Sequence, residues 1–224
     1  MYHWIEDKEF LRSMKYFCSD VVNRLAQLIN KEGVMEVHQH LVGSGAKDLI
    51  VQNAEEAVDL DYNLEVIRCR EYGINDCNKI KEYIQRKFDE VLDKLDLGHC
   101  QDSSSVLSTH KFLLPKRKGK KQYSTEISID ICITNIGQNG KLRRLIHGKH
   151  GMIQFDTFIW NEARDSDGLA RRVEWLKANE HWPEVKETYL GKKNMYLIRN
   201  DQDHPSYIVY IETVNEVFYK YNRR

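Results

Sequence analysis

Apolar residues recur at three- and four-residue steps from about Lys8 to Lys31: Phe10, Leu11, Met14, Phe17, Val21, Leu25 and Leu28. That spacing predicts an amphipathic helix, stopped by Gly33. From Val34 to Val42 the period drops to two, with Met35, Val37 and Leu41 alternating with Glu36, His38 and His40, which predicts a strand. The stretch from Gly43 to Ala57 reads as a loop or short helix. Val58 to Ile67 alternates again. Val58, Leu60, Tyr62, Leu64 and Val66 share one face, and Asp59, Asp61, Asn63 and Glu65 share the other.

A second long helix is predicted from about Asp76 to Leu95, with Ile80, Ile84, Phe88, Val91, Leu92 and Leu95 as its stripe. After the loop at 102–105, Val106 to Leu114 and Gln122 to Thr134 read as a strand pair. The basic turn from Pro115 to Lys121 joins them. In the later strand Ile127, Ile129, Ile131 and Ile133 face one way, and Ser128, Asp130 and Cys132 the other. Asn139-Gly140 predicts a hairpin, with strand continuing to about Trp160. From Asp167 the period becomes helical through Leu169, Val173 and Leu176. A break is expected at Trp182-Pro183, and a last helix near Ser206 with Ile211, Val214, Phe218 and Tyr221 as its stripe. The pattern predicts an α+β domain over residues 1–160 and a small helical C-terminal region over 161–224.

Composition narrows the class. The chain has 224 residues, 41% hydrophobic and 30% charged, enough for a sizeable core and unlike a disordered chain. Lys plus Arg and Asp plus Glu both number 34, so the formal net charge is zero. A long nucleic acid or an anionic membrane is therefore not the favoured partner. No run approaches the roughly 18 apolar residues of a membrane span. The N-terminal residues lack a signal-peptide core, and the five dispersed cysteines form no CxxC. These features predict reduced thiols and a cytoplasmic location.

Three pieces of this pattern combine into chemistry. The strand over 34–42 runs into Gly43-Ser44. The strand over 58–67 places Asp59 and Asp61 side by side, and the strand over 122–134 presents Asp130 on its polar face. Three carboxylates on neighbouring strands would make a hard oxygen site for Mg²⁺, or Mn²⁺ in its place, with room for phosphate oxygens. Two such ions can activate an attacking hydroxyl and stabilise the leaving group of a phosphoryl or nucleotidyl transfer. Gly43 has no side chain to obstruct a phosphate, and Ser44 adds a hydroxyl.

HLVGSGAK at 40–47, AVDLDYNL at 57–64 and ISIDICI at 127–133 resemble the DNA polymerase β-like nucleotidyltransferase superfamily. The nearest members are oligoadenylate-synthetase-like and bacterial cyclic-oligonucleotide-synthase-like. The resemblance implies a mixed β-sheet backed by helices, and transfer of a nucleoside monophosphate from an NTP to an acceptor hydroxyl with release of pyrophosphate. It implies that Asp59 and Asp61 bind the metals, and that Asp130 completes the metal site and helps activate the acceptor. It implies that Gly43 and Ser44 hold the triphosphate, with Lys47 at the β- or γ-phosphate. Asp48 and Leu49 stand where many members have Gly and Thr. The acceptor is left open between a small molecule such as an antibiotic, another nucleotide, an RNA end and a protein hydroxyl.

Other readings accompany this one. The fold could serve as a catalytically inactive binding or regulatory module, a nucleotide sensor or a toxin–antitoxin-like partner. The acidic face could be incidental to a structural protein. His38 and His40 form an HxH pair, but a polar strand face is the simpler reading. Lys116 to Lys121 reads as a solvated turn, Arg171 and Arg172 as surface charge, Trp175 and Trp182 as packing residues, and Cys132 as an inert thiol.

Overall fold

The computed structural model describes residues 1–116, 119, 122–149, 156–162, 168–201 and 204–222. The basic turn over 116–121, apart from Lys116 and Gly119, lies outside the described residues. The chain divides into two compact units. One comprises Glu6–Ile50 and Glu56–Ala163, and the other Met1–Ile5, Val51–Glu55 and Arg164–Arg224.

The larger unit opens with α1 (Lys8–Glu32), whose N-cap Asp7 accepts a hydrogen bond from Phe10 N at 2.8 Å. Asp7→Ala should lower the unfolding free energy by about 1 kcal/mol, read by urea denaturation, because a backbone donor of the first turn loses its partner. Gly33 ends the helix in the left-handed conformation (φ 75°). Then come β2 (Met35–Leu41), α2 (Gly43–Lys47), β4 (Val58–Cys69), α3 (Cys77–Asp93), β8 (Glu126–Ile136), β9 (Leu142–Gly148) and β10 (Thr157–Glu162). The labels β1 (Tyr2–Trp4) and β3 (Val51–Asn53) belong to the other unit.

The sheet runs β10-β9-β8-β4-β2, with β4 and β8 parallel and the other neighbours antiparallel. It is thus a mixed sheet, as the resemblance implied. α3 lies within the crossover that any parallel pair needs. α1 packs on β2, β4 and α3. The alternating strands divide as their patterns require. Leu60, Tyr62, Leu64, Ile127, Ile129, Ile131 and Ile133 are buried, and Ser19 Oγ of α1 lies 2.9 Å from the Tyr62 hydroxyl. The expected hairpin at Asn139-Gly140 joins β8 to β9, with Gly140 N donating to Gly137 O at 2.9 Å.

The stretch over 106–114 is not one strand. It contributes β6 (Leu107–Ser108) and β7 (Phe112–Leu113), which pair at separate points along β8, while β5 (Gln101–Asp102) pairs with β6. The break falls at Thr109, whose backbone N and side-chain Oγ1 both bond to the backbone of Ile129, which takes this residue out of simple strand pairing.

In the smaller unit, β1 and β3 pair antiparallel, and neither strand was expected from the sequence. The Asn194 amide completes the backbone pairing of Tyr2, accepting from its N at 2.7 Å and donating to its O at 3.0 Å. The helices are α4 (Leu169–Ala178), α5 (Trp182–Ile198) and α6 (Ser206–Tyr221). Pro183 sits in the first turn of α5, so Trp182-Pro183 opens a helix rather than merely interrupting one. The buried face of α6 is Val209, Tyr210, Thr213, Val214 and Val217, rotated from the stripe that the sequence suggested. Phe218 instead stacks edge-on against Trp175 of α4. No helix among the described residues is long and apolar enough to cross a membrane.

Candidate active site

The parallel register sets the site. Asp61 of β4 stands opposite Asp130 of β8, and Asp59 opposite Ser128. Neighbouring strands lie about 4.8 Å apart, so the paired carboxylates leave the same sheet face one strand spacing from each other. The Ser128 hydroxyl donates to Asp59 Oδ1. Two carboxylates that were separated by sequence are thus brought into register, and Asp59 extends the acidic surface on the same face.

The turn after β2 closes against this face. Val42 N donates to Asp61 O at 2.9 Å, which ties the turn to β4. Gly43 has φ +61°, and a Cβ built there would lie 2.1 Å from Asp61 Oδ2. Both the conformation and the space require glycine. Lys47, at the end of α2, donates from Nζ to Gly43 O at 3.1 Å. Burial lowers its pKa, and the neighbouring Asp61 opposes that shift. Asp48 takes the left-handed position that ends α2 (φ 54°), a conformation that Asp tolerates better than most residues with a Cβ. Its carboxylate pairs with Lys15 at 2.7 Å, and Leu49 is buried in the core. The two departures from the family pattern therefore have local structural roles.

Burial raises the Asp61 pKa to about 6, and the charges of Asp130 and Asp59 add to that, with Lys47 and Arg144 opposing it. Asp130 is raised by burial first, opposed by a hydrogen bond from Ser108, with Asp59 adding to the rise. The carboxylates therefore face one another with incomplete compensation. Among the described residues, no group of three His, Cys, Asp or Glu side chains is placed to hold a metal ion by itself.

A cleft of about 510 Å³ opens beside Asp59, Ser128 and Asp130. Its other wall is Gln101, Ser108, Thr109, His110 and Lys111. Sequence reasoning missed this wall, which comes from the broken stretch between β5 and β7. Ser128 was visible two residues before Asp130 on the same face. Arg144 lies opposite Thr134 on β9, a placement that only the register reveals.

The remaining candidates fall elsewhere. His40 Nε2 lies 3.4 Å from Glu65, and the HxH pair joins no metal-holding group among the described residues. Burial pushes the Cys132 thiol up, as an inert thiol requires. Arg172 bonds to Asn215 at 2.8 Å, and Trp175 stacks on His181, so both take part in packing within the smaller unit.

No family model and no curated protein matches the sequence. Solved structures do match. The Vibrio cholerae DncV cyclic AMP-GMP synthase with the linear intermediate 5′ pppA(3′,5′)pG superposes with TM-score 0.51 at 10% identity. The match covers 82% of this chain and 45% of that one. Escherichia coli DncV in its 3′-deoxy GTP bound form gives 0.52 at 12% identity, over 81% and 46%. CdnC of E. coli MS115-1 with ATP gives 0.54 at 10% identity, over 96% and 66%.

The chain has the fold of these DncV and CdnC structures. It places the end of β2, the turn over 43–47, and the Asp-bearing strands β4 and β8 around one polar sheet face. The chain spans about half the length of the DncV structures.

Proposed function

We propose that the chain transfers a nucleoside monophosphate from an NTP to an acceptor hydroxyl. The observation that carries this reading is the register of Asp61 with Asp130, closed on one side by the Gly43 main chain. In the transfer the acceptor oxygen bonds to the α-phosphorus, the bond from that phosphorus to the bridging oxygen breaks, and pyrophosphate leaves. The hydroxyl proton passes through Asp130 to solvent. Catalysis of this kind consists of positioning and charge neutralisation rather than a covalent intermediate.

Mg²⁺ suits the donor set. Asp59, Asp61 and Asp130 are hard oxygen donors; burial first, and then neighbouring carboxylate charge, raises the pKa values of Asp61 and Asp130, and a divalent ion would neutralise that charge. Mg²⁺ commonly binds through one or two carboxylates together with substrate phosphates, so a complete cage of protein ligands is not required. The ion would supply charge stabilisation at the phosphates and the leaving group. Ser44 and the turn backbone would take the triphosphate, with Lys47 beside them.

Neighbours with bound nucleotides support the donor class. They include DncV with a linear pppA(3′,5′)pG intermediate and CdnC with ATP. A second reading, nucleotide binding without turnover, draws on the lack of a preassembled three-donor metal group among the described residues. The two readings separate when the chain is incubated with each α-³²P-labelled NTP and Mg²⁺, alone and with cell extract. Transfer of label by the parent and its loss in Asp130→Asn, with melting no lower than the parent's, is the expected result. Mg²⁺-dependent NTP binding with no transfer under any condition would favour the binding module.

A further inference from the structure

One edge of β8 is shared by two partners. β4 occupies the other edge over residues 127–134. On the shared edge, β9 pairs with Thr134, Asn135 and Ile136, and the hairpin made by β5 and β6 pairs with Asp130 and Ile131. Beyond Arg144, β9 therefore leaves β8 and continues with β10 alone.

A charged cluster fills the fork between the hairpin and β9. His147 of β9 is 7% exposed, with Nδ1 2.8 Å from Asp102 of β5 and Nε2 2.8 Å from Asp156 ahead of β10. Its ring stacks on Phe158, with centroids 4.2 Å apart. Lys81 of α3 is 2% exposed, lies 2.5 Å from the other Asp102 oxygen and donates to Ser103 O at 2.8 Å. His147 N donates to Ser104 O at 2.7 Å, and Lys149 donates to Asp102 O. Lys81, His147 and Lys149 thus grip the hairpin at β5 and at its turn. Buried charges of this kind keep their places through their pairing, because removal of one partner leaves the other uncompensated.

The hairpin carries a group into the site. Asp102 stands opposite Leu107, the residue before Ser108. Ser108 stands opposite Asp130, and its hydroxyl donates to that carboxylate.

We infer that His147 is a positioning residue for nucleotidyl transfer: its bridge from Asp102 to Asp156 holds the β5–β6 hairpin so that the Ser108 hydroxyl stays on Asp130. The inference rests on the function proposed above and adds to it a residue that touches neither reactant. Asp130 takes the acceptor's proton in that reading, so freedom of its carboxylate to rotate costs rate. The Gly43 turn follows β2, which borders β4 on the edge away from β8, so donor binding does not depend on the hairpin.

The test measures transfer of label from the α-³²P-labelled NTP that the parent uses, with Mg²⁺ and cell extract as the source of acceptor. His147→Gln has one amide donor and reaches one carboxylate rather than both. It should lower kcat per folded molecule about tenfold and leave KM for the NTP within about twofold. Ser108→Ala should lower kcat to a similar extent, through loss of a hydrogen bond to a charged group. The double variant decides. If His147 acts through Ser108, the double variant is within about twofold of Ser108→Ala, whereas independent effects multiply to about a hundredfold. A merely structural His147 would lower the melting temperature and leave kcat per folded molecule in place. Should His147→Gln fail to fold, Lys149→Met takes its place in the cycle, since Lys149 is exposed and holds the same strand.

An unchanged kcat, or losses that multiply, would overturn the inference while nucleotidyl transfer stood. A rise in KM with kcat unchanged would overturn it as well, by placing the effect on the donor. A parent that transfers label from no NTP would remove the functional reading, and this inference with it.

Discussion

Asp61→Asn should abolish nucleotidyl transfer and at the same time stabilise the protein at neutral pH. The loss of turnover is expected to be about 10³-fold or more, because a hard oxygen donor is replaced by a weaker neutral one beside the transferring phosphate. The gain in stability follows from the Asp61 pKa, raised to about 6 by burial and by the Asp130 and Asp59 charges. An unfolded chain ionises this carboxyl near 3.8. The folded state therefore holds its proton more tightly. That contribution to stability is complete below about 4, declines as pH rises towards 6, and is gone above 6. The displacement corresponds to about 3 kcal/mol as an upper bound, since charged neighbours relax when the group is replaced. Urea denaturation of parent and variant should give equal stability near pH 4 and a gain of about 1–3 kcal/mol for the variant near pH 8. Equal stability at both values would mean that the carboxylates do not strain the folded state. A variant that lost stability at pH 8 would mean that Asp61 is held by a compensating cation. In either case the neighbouring carboxylates would not be destabilising the folded state.

How much of this arrangement was legible in the sequence depends on the range of the interactions. The two faces of β4 and β8 could be read directly, because Val58 to Val66 and Ile127 to Ile133 alternate between core and polar positions. The pairing of Asp61 with Asp130 could not. Parallel register is set by a crossover of more than fifty residues and by packing of α1 and α3, none of which leaves a local mark. Gly43 was visible as the residue next to Ser44, but its closeness to Asp61 is a tertiary fact. The cleft wall was hidden because Thr109 interrupts the expected strand and leaves only two-residue fragments, too short for periodicity to register. The first residues carry no local strand signal, since β1 gains its partners only from β3 and Asn194, roughly fifty and one hundred and ninety positions away. α5 escaped notice because Pro183 reads as a stop as readily as a first-turn residue, and because few of its side chains are buried.

The second large effect is expected from Gly43→Ala, a single methyl group. The new Cβ would lie 2.1 Å from Asp61 Oδ2, 3.0 Å from its Cγ and 3.2 Å from its Cβ, so no rotation about the last bond of Asp61 relieves all three. Either the carboxylate or the turn must move. The turn is tied to β4 through Val42 N and Asp61 O at 2.9 Å and is followed at once by α2, so Asp61 is the part that yields. A displacement of about 1 Å at a reacting centre can cost about 10²-fold in rate. The positive φ adds a backbone penalty of about 1–2 kcal/mol for any residue with a Cβ. Turnover should therefore fall by about 10²-fold or more, with a stability loss of about 1–3 kcal/mol. Gly45→Ala is the informative control. Its Cβ would meet Leu60 at 2.8 Å and Leu41 at 3.0 Å, both apolar core contacts, and none of the carboxylates. It should lower the melting temperature while leaving turnover per folded molecule much closer to that of the parent. If both variants lost rate in step with stability, the close approach of Gly43 to Asp61 would be a matter of packing. If Gly43→Ala alone lost rate out of proportion, the turn and the carboxylate would act as one device, with the glycine present to let the turn backbone approach Asp61.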